Sequence, residues 1–420
     1  MEKVGQKGYS RNGLIVLCSM VYFVSYFSRK DFAVVMLGMI DEGVIPYDNA
    51  GLIGAMLFAF YGAGQLISGY LGDKIKPKYL ILLGLSVTAL CNLMMPLIPW
   101  GVMVPVWGLN GLAQAMLWPP IVKILSNYLD HKTYVTANLI VTSSAHVATV
   151  LLYVFVPICL SFMSWQSVFF TASALAVFSA VLFAIAMRIV LPKEAEIVPV
   201  LRKSTKIQGE NEESILSILK RSGVFTVFVC IIVIGFLRDG IETWMPTLYS
   251  DAFDRDVSES TLVSIVLPIF SIFSTTIVSA LHKKSVLRNE VWGAGVLFAL
   301  SLACGVPLIF FVAMDGIVFG VLALVVTAFI CGAMHCANFL LISCLPGRFA
   351  STGRAATVSG VCNSCVYIGA AISTYGIGVV SKHLGWSVSV GIWCALLVVG
   401  VLFAIFSYKK YTAMLNDKND

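Results

Sequence analysis

Twelve apolar runs, each long enough to cross a bilayer, constrain this chain more than any other feature. They fall at roughly 12–40, 48–72, 78–98, 101–129, 133–160, 164–191, 223–249, 259–282, 290–313, 316–345, 353–381 and 386–408. A spanning helix needs about 20 consecutive apolar residues. In hydrocarbon each backbone polar group must be satisfied inside the protein, and runs of this length meet that demand as helices. One long hydrophilic stretch interrupts the series, Pro192 to Ser222, which carries Lys193, Glu194, Arg202, Lys203, Lys206, Glu210, Glu212 and Glu213. The expectation is an all-α membrane protein of twelve transmembrane helices in two six-helix bundles. The bundles are residues 1–191 and 223–420, joined by a solvated linker at 192–222.

Composition agrees. The 420 residues are 59% hydrophobic and 12% charged, with a mean hydropathy of +0.90. Ordinary globular chains carry about 25% charged residues. So few charges cannot cover a soluble surface, which excludes a cytosolic enzyme, a disordered chain and a nucleic-acid binder. The eleven cysteines fall almost entirely inside apolar runs and read as small packing residues. Met1 to Arg11 is polar and no small-residue cleavage site follows, so the first run reads as a retained helix.

Charge sets the orientation. With the N-terminus inside, 22 of the 28 Lys and Arg fall in cytoplasmic segments and only Arg255 and Lys382 in outer loops. The outer loops are acidic, with Asp41, Glu42, Asp48, Asp251, Asp254, Asp256 and Glu259. Basic residues mark cytoplasmic loops, so both termini are expected in the cytoplasm. The short loops and compact length point to a bacterial cytoplasmic membrane, with an organelle membrane as the alternative.

The halves also read as repeats. Phe27-Ser28-Arg29 in the first run matches Phe236-Leu237-Arg238 in the seventh, and each Arg sits about 16–17 residues into its helix. Parallel six-helix repeats of this kind build major facilitator transporters, whose substrate sites lie near the midplane between halves.

Four basic residues remain inside apolar runs: Arg29, Lys30, Lys123 and Arg238. An Arg at a helix centre costs about 2.5–3.5 kcal/mol on insertion scales. Such residues face a cavity or a partner. A pseudo-two-fold axis brings Arg29 and Arg238 to one cavity, where two planar guanidiniums suit a phosphate. The alternative is that each pairs with a carboxylate, and Asp31, Asp239 and Glu242 are at hand. Tyr22 and Tyr26 share a helical face with Arg29. Tyr61, Gln65 and Trp118 lie on neighbouring helices. Pro119-Pro120 should kink the fourth span. His146, midway along the fifth span, reads equally as a buried packing residue and as a phosphate or proton partner. His335 is a weaker candidate of the same kind, and Lys123 reads as snorkelling.

Three segments resemble the organophosphate:phosphate antiporters, the glycerol-3-phosphate and hexose-phosphate carriers of the major facilitator superfamily. They are Tyr26-Phe27-Ser28-Arg29-Lys30-Asp31-Phe32, Gly111-Leu112-Ala113-Gln114-Ala115-Met116-Leu117-Trp118-Pro119-Pro120, and Phe236-Leu237-Arg238-Asp239-Gly240 with Trp244-Met245-Pro246-Thr247-Leu248-Tyr249. The turn from Gly69 through Asp73 and Lys74 resembles the superfamily's gating motif. The resemblance implies a monomeric carrier that exchanges a phosphorylated small metabolite (a sugar phosphate or glycerol phosphate) for inorganic phosphate by alternating access. It implies that Arg29 and Arg238 hold the phosphoryl group, that Lys30 adds positive potential, and that His146, Tyr22, Tyr26, Tyr61 and Trp118 line the pocket. Gly69, Asp73 and Lys74 would serve the gate.

The chain departs from the family at Gly235, where a Tyr is familiar, at Gln65, at Thr142 and at Gly332-Ala333-Met334-His335. The phosphate end is kept and the end that reads the organic group is altered. A proton-coupled organic-anion symporter, using Asp31, Asp239, Glu242 or His146, is the second reading. A transporter-like sugar-phosphate sensor is the third. The sequence shows no nucleophile–base pair and no metal cluster, so no enzyme activity, cofactor or metal is expected. Beyond membrane lipid, the expected partners are the phosphate ester and inorganic phosphate.

Overall fold

The computed structural model describes residues 10–129, 131–190, 223–284, 286–287, 289–352 and 355–416. The linker expected at 192–222 lies outside them. The described residues are helical nearly throughout. In chain order they form α1 (Arg11–Asp41), α2 (Tyr47–Lys74), α3 (Pro77–Met94), α4 (Trp100–Ala115), α5 (Trp118–Tyr128), α6 (His131–Phe162), α7 (Gln166–Val190), α8 (Val224–Phe253), α9 (Val257–Val263), α10 (Val266–Lys283), α11 (Glu290–Phe311), α12 (Ile317–Asn338), α13 (Ala355–Leu384) and α14 (Trp386–Asn416).

Each of the twelve apolar runs has its helix or helix pair. Nine of these segments, among the described residues, are long and apolar enough to cross a membrane on length and composition alone. The other three are α1, which carries Arg29, Lys30 and Asp31 at its centre, α2, and the α4–α5 pair. That pair is broken at Met116 and Leu117, just before Trp118-Pro119-Pro120. Proline lacks the N–H that would continue the helix, so the expected kink is a break. The tenth span is also irregular. After α12 it passes through a π-helical turn (Phe339–Cys344) and a 3₁₀ stretch (Leu345–Thr352).

Capping and turn residues set the boundaries. Ser10 accepts from Gly13 N at 3.1 Å to open α1, and Asn289 accepts from Trp292 N at 2.9 Å to open α11. Such caps satisfy amides that have no partner inside the helix.

Packing runs within each half and across them. In the first six spans α1 lies against α6 and α7, and α2 against α4; in the last six α8 lies against α12, α13 and α14. Across the halves, α2 packs along α13, α6 meets α9 and α10, and α1 meets α8. These contacts need bare backbone. A Cβ on Gly51 would stand 2.3 Å from Thr374 O on α13. A Cβ on Gly235 would stand 1.9 Å from Val366 O, and one on Gly369 2.0 Å from Ile232 O. The α8–α13 crossing is therefore closed by a reciprocal glycine pair, and no tyrosine fits at 235.

The halves are joined at the end away from residues 190 and 224. There Tyr47 OH lies 2.9 Å from Asp251 Oδ2 and 3.1 Å from Ser381 Oγ, both in the other half. Within that other half Trp386 Nε1 donates to the same Asp251 oxygen at 3.0 Å, and Trp244 Nε1 donates to Thr374 O at 2.9 Å.

Candidate functional site

Near the middle of α1 the sequence Tyr26 to Phe32 turns in opposite directions from one helical position to the next. Tyr22, Tyr26 and Arg29 share one face and enter an aromatic cluster. The Arg29 guanidinium lies 4.1 Å from the ring centre of Tyr26 and 5.0 Å from that of Tyr61. Tyr22 packs on Tyr26 at 5.1 Å and on Trp118 at 4.7 Å between ring centres. Trp118 reaches it because the break before α5 lets the chain turn inward. All the aromatic residues expected at the site are thus brought together around Arg29.

Tyr367 on α13 completes the cluster from the other half. Its ring centre is 4.4 Å from that of Tyr61. Tyr26 and Tyr367 both lie within electrostatic reach of Arg29 and of Arg238. The two guanidiniums therefore approach one aromatic lining from opposite halves.

They are not held alike. Arg238 donates to Asn338 Oδ1 at 2.7 Å and to Asp239 Oδ2 at 2.6 Å. Arg29 has no carboxylate within ion-pair distance among the described residues, although it is only 7% exposed. Pairing of each Arg with an acid thus holds for Arg238 and fails for Arg29. Asp31, the acid nearest to Arg29 in sequence, accepts from the backbone amide of Phe32 at 2.8 Å instead.

Lys30 points from α1 to the opposite half. Its Nζ donates to Glu242 Oε2 and lies 3.9 Å from Asp239 Oδ1. The expected role of Lys30 was added positive potential; the structure engages it in an ion pair between halves. Glu242 also binds His335, whose Nε2 is 2.7 Å from Oε1. Tyr153 OH donates to the Glu242 carbonyl at 3.2 Å. His146 stands beside this group, its ring centre 6.1 Å from that of His335 and its Nδ1 3.1 Å from Thr142 O. A small cavity opens between Arg29, Lys30, Phe58, Trp107 and Thr243.

Two residues here escape a reading of the sequence. Asn338 sits three positions after His335, on the same helical face, and that spacing is a signal that could have found it. Tyr367 has no charge or motif near it. The side chains of Asp73 and Lys74 and the surroundings of Gly69 lie outside what is described, so the gating motif has only its backbone place at the end of α2.

The chain matches the Major Facilitator Superfamily over residues 18–374. It belongs to that superfamily. A probable hexose phosphate transport protein of Chlamydia trachomatis is 23% identical over 421 residues, covering 93% of this chain and 89% of the relative. A glycerol-3-phosphate transporter of Bacillus subtilis is 23% identical over 244 residues, 54% of each chain. Among solved structures, a bacterial homologue of the human lysosomal transporter Spinster, described as inward-facing and unoccupied, superposes with a TM-score of 0.77. It covers 98% of this chain and 99% of its own at 14% identity. The protein is a multi-pass membrane protein with the major facilitator fold, in a family of secondary transporters.

Proposed function

We propose that this carrier moves a phosphorylated small metabolite, a sugar phosphate or glycerol phosphate, in exchange for inorganic phosphate. The observation that carries the reading is Arg29. It is a buried guanidinium stacked on Tyr26, with no acid beside it among the described residues. A buried charge without a partner costs several kcal/mol, and an anionic cargo removes that cost. Arg238, at the matching place in the other half, supplies the second guanidinium of a phosphate clamp, exchanging its bonds to Asn338 and Asp239 for the cargo. The names of the relatives from C. trachomatis and B. subtilis support the same substrate class.

Exchange follows from electrostatics. Arg238 already has Asp239, so closing an empty site strands the charge of Arg29, and a stranded buried charge costs several kcal/mol. A bound phosphate offsets that charge, so loaded carriers reorient faster than empty ones. Residues 1–191 and 223–420 are the two rocking bundles of this proposal, in a monomer. The linker end and both termini face the cytoplasm of a bacterial cell, and Gly69, Asp73 and Lys74 belong to the gate on that side. His146 assists anion binding from α6.

The test is phosphate self-exchange in proteoliposomes with a panel of phosphate esters as competitors. Exchange that one ester class inhibits supports the reading and names the cargo. Phosphate efflux untouched by every external ester refutes it. Proton-coupled symport is the second reading, and Asp31 is the observation that favours it: its Oδ2 is buried with no hydrogen-bond partner among the described residues. Uptake that collapses with an uncoupler and needs no counter-substrate would select that reading.

A further inference from the structure

Anion binding leaves one cluster at the junction of the halves unexplained. Cys331 and His335 are four residues apart on α12 and so stand on one helical face. Glu242 reaches the same point from α8. A Cys331 sulfur, a His335 ring nitrogen and a Glu242 carboxylate oxygen all lie within 4.8 Å of one another. A second imidazole is close by, with the His146 ring centre 6.1 Å from that of His335. The His146 tautomer that donates Nδ1–H to Thr142 O, 3.1 Å away, leaves its Nε2 lone pair open. A metal-bound histidine characteristically gives its other ring N–H to a carbonyl or carboxylate in this way.

We propose that Glu242, Cys331, His335 and His146 form a binding site for a soft divalent cation, Zn²⁺ or Cd²⁺, and that the bound ion bolts the two halves together. Thiolate, imidazole and carboxylate are the donors zinc takes, in a set of four. Sulfur and nitrogen donors discriminate against Mg²⁺ and Ca²⁺, which prefer oxygen.

Binding moves protons: Cys331 coordinates as thiolate and gives up its proton, and His335 coordinates through Nε2 as a neutral imidazole. Glu242 already offsets Lys30, and Asp239 offsets Arg238, so the thiolate cancels one of the metal's two charges and the site gains a single net charge. Glu242 Oε1 turns from His335 to the ion, while Oε2 keeps Lys30. Three donors come from α8 and α12, and His146 comes from α6. An ion held by all four ties α6 to the opposite half, and alternating access requires those helices to part. Micromolar Zn²⁺ should therefore stop flux whatever the cargo is.

The experiment uses the full chain, purified and in proteoliposomes. Zn²⁺ binding is measured by equilibrium dialysis and thermal unfolding, and flux by phosphate exchange before and after Zn²⁺ and then EDTA. The expected result is one ion per chain, a raised unfolding temperature, and exchange that Zn²⁺ stops and EDTA restores, with Mg²⁺ inert. Cys331→Ser, a substitution outside the anion site, should exchange phosphate normally and bind Zn²⁺ more weakly by at least the roughly 10–100-fold that loss of a mere outer-shell partner causes. Cadmium–thiolate charge-transfer absorption on the unaltered protein supplies a readout that needs no variant. No Zn²⁺ binding, or binding unchanged in Cys331→Ser without the cadmium–thiolate band, overturns the site. Binding with undiminished flux overturns the bolt. If phosphate exchange is absent altogether, the proposed cargo fails and the dialysis and absorption still decide the metal site.

Discussion

Lys30 on α1 and Glu242 on α8 form an ion pair that joins the two halves of the carrier inside the membrane. Their side chains are 11% and 12% exposed, so water screens the pair little. Glu242 does not stand alone, since His335 holds its other oxygen. Lys30 has a more distant second acid in Asp239. Any movement that separates α1 from α8 has to break this pair or replace one of its members. The proposed anionic cargo would do so by taking Lys30 while Glu242 stays with His335.

Breaking the pair from one side leaves an uncompensated buried charge, at about 3–5 kcal/mol. Glu242→Gln should therefore lower the unfolding temperature of the purified protein by several degrees. Lys30→Gln combined with Glu242→Gln should recover most of the loss, since neither charge is then stranded. The four proteins of the double-mutant cycle, melted side by side, measure the coupling. Additive losses would mean that the pair has no energetic part in holding this state.

Arg29→Lys and Arg238→Lys keep the charge and lose the planar fork. A hydrogen bond to a charged group contributes about 1.5–3 kcal/mol, which is about a tenfold to hundredfold rise in KM for phosphate. Arg238→Lys should also destabilise the protein, because the fork bridges Asn338 and Asp239. Arg29→Lys should leave stability nearly unchanged, since among the described residues it has no acid to lose. Exchange kinetics together with melting curves separate the two cases. Equal KM values in wild type and both variants would remove the clamp.

The fold was legible because membrane-length apolar runs leave a chain few options, and every run found its helix. The two arginines were legible for a related reason: a charge inside such a run is conspicuous. The partners of those charges were not. Lys30 was visible as a cation, but its choice of Glu242, on another helix and in the other half, depends on how α1 and α8 pack. Asn338 and Tyr367 are ordinary residues in helical sequence, and only packing carries them to Arg238 and Tyr61. At Gly235 the departure from the family pattern could be read, while its cause could not. That cause is the backbone of Val366 lying where a Cβ would go.

Restoring a larger residue at that point should thus break the fold and not restore a specificity. Gly235→Ala would place its Cβ 1.9 Å from Val366 O, with backbone on both sides and nothing flexible to give way. Overpacking a well-filled site costs about 1–3 kcal/mol or more, so Gly235→Ala should express with a markedly lower unfolding temperature and Gly235→Tyr should fail to fold. Size-exclusion chromatography after graded heating reads this directly. A Gly235→Tyr carrier as stable as wild type would show that α8 and α13 do not cross as closely as described.

Under the proposed function Tyr367 would touch the organic part of the cargo without holding its phosphate. Its ring packs at a tilt against Tyr61, with 4.4 Å between ring centres, and stacks on Phe58 at 6.2 Å. No ion pair ties it to either arginine. Aromatic pairs contribute about 0.5–1.5 kcal/mol beyond burial, so Tyr367→Ala should raise the KM of the transported ester by about two- to tenfold. Inorganic phosphate has no organic group, and its KM should move little. Tyr367→Phe keeps the ring, and comparison with the alanine variant separates stacking from any hydrogen bond through the hydroxyl. The decisive quantity is the ratio of the two KM values in each variant. If ester and phosphate weaken together in Tyr367→Ala, the ring acts by positioning the guanidiniums and the specificity of the carrier lies elsewhere.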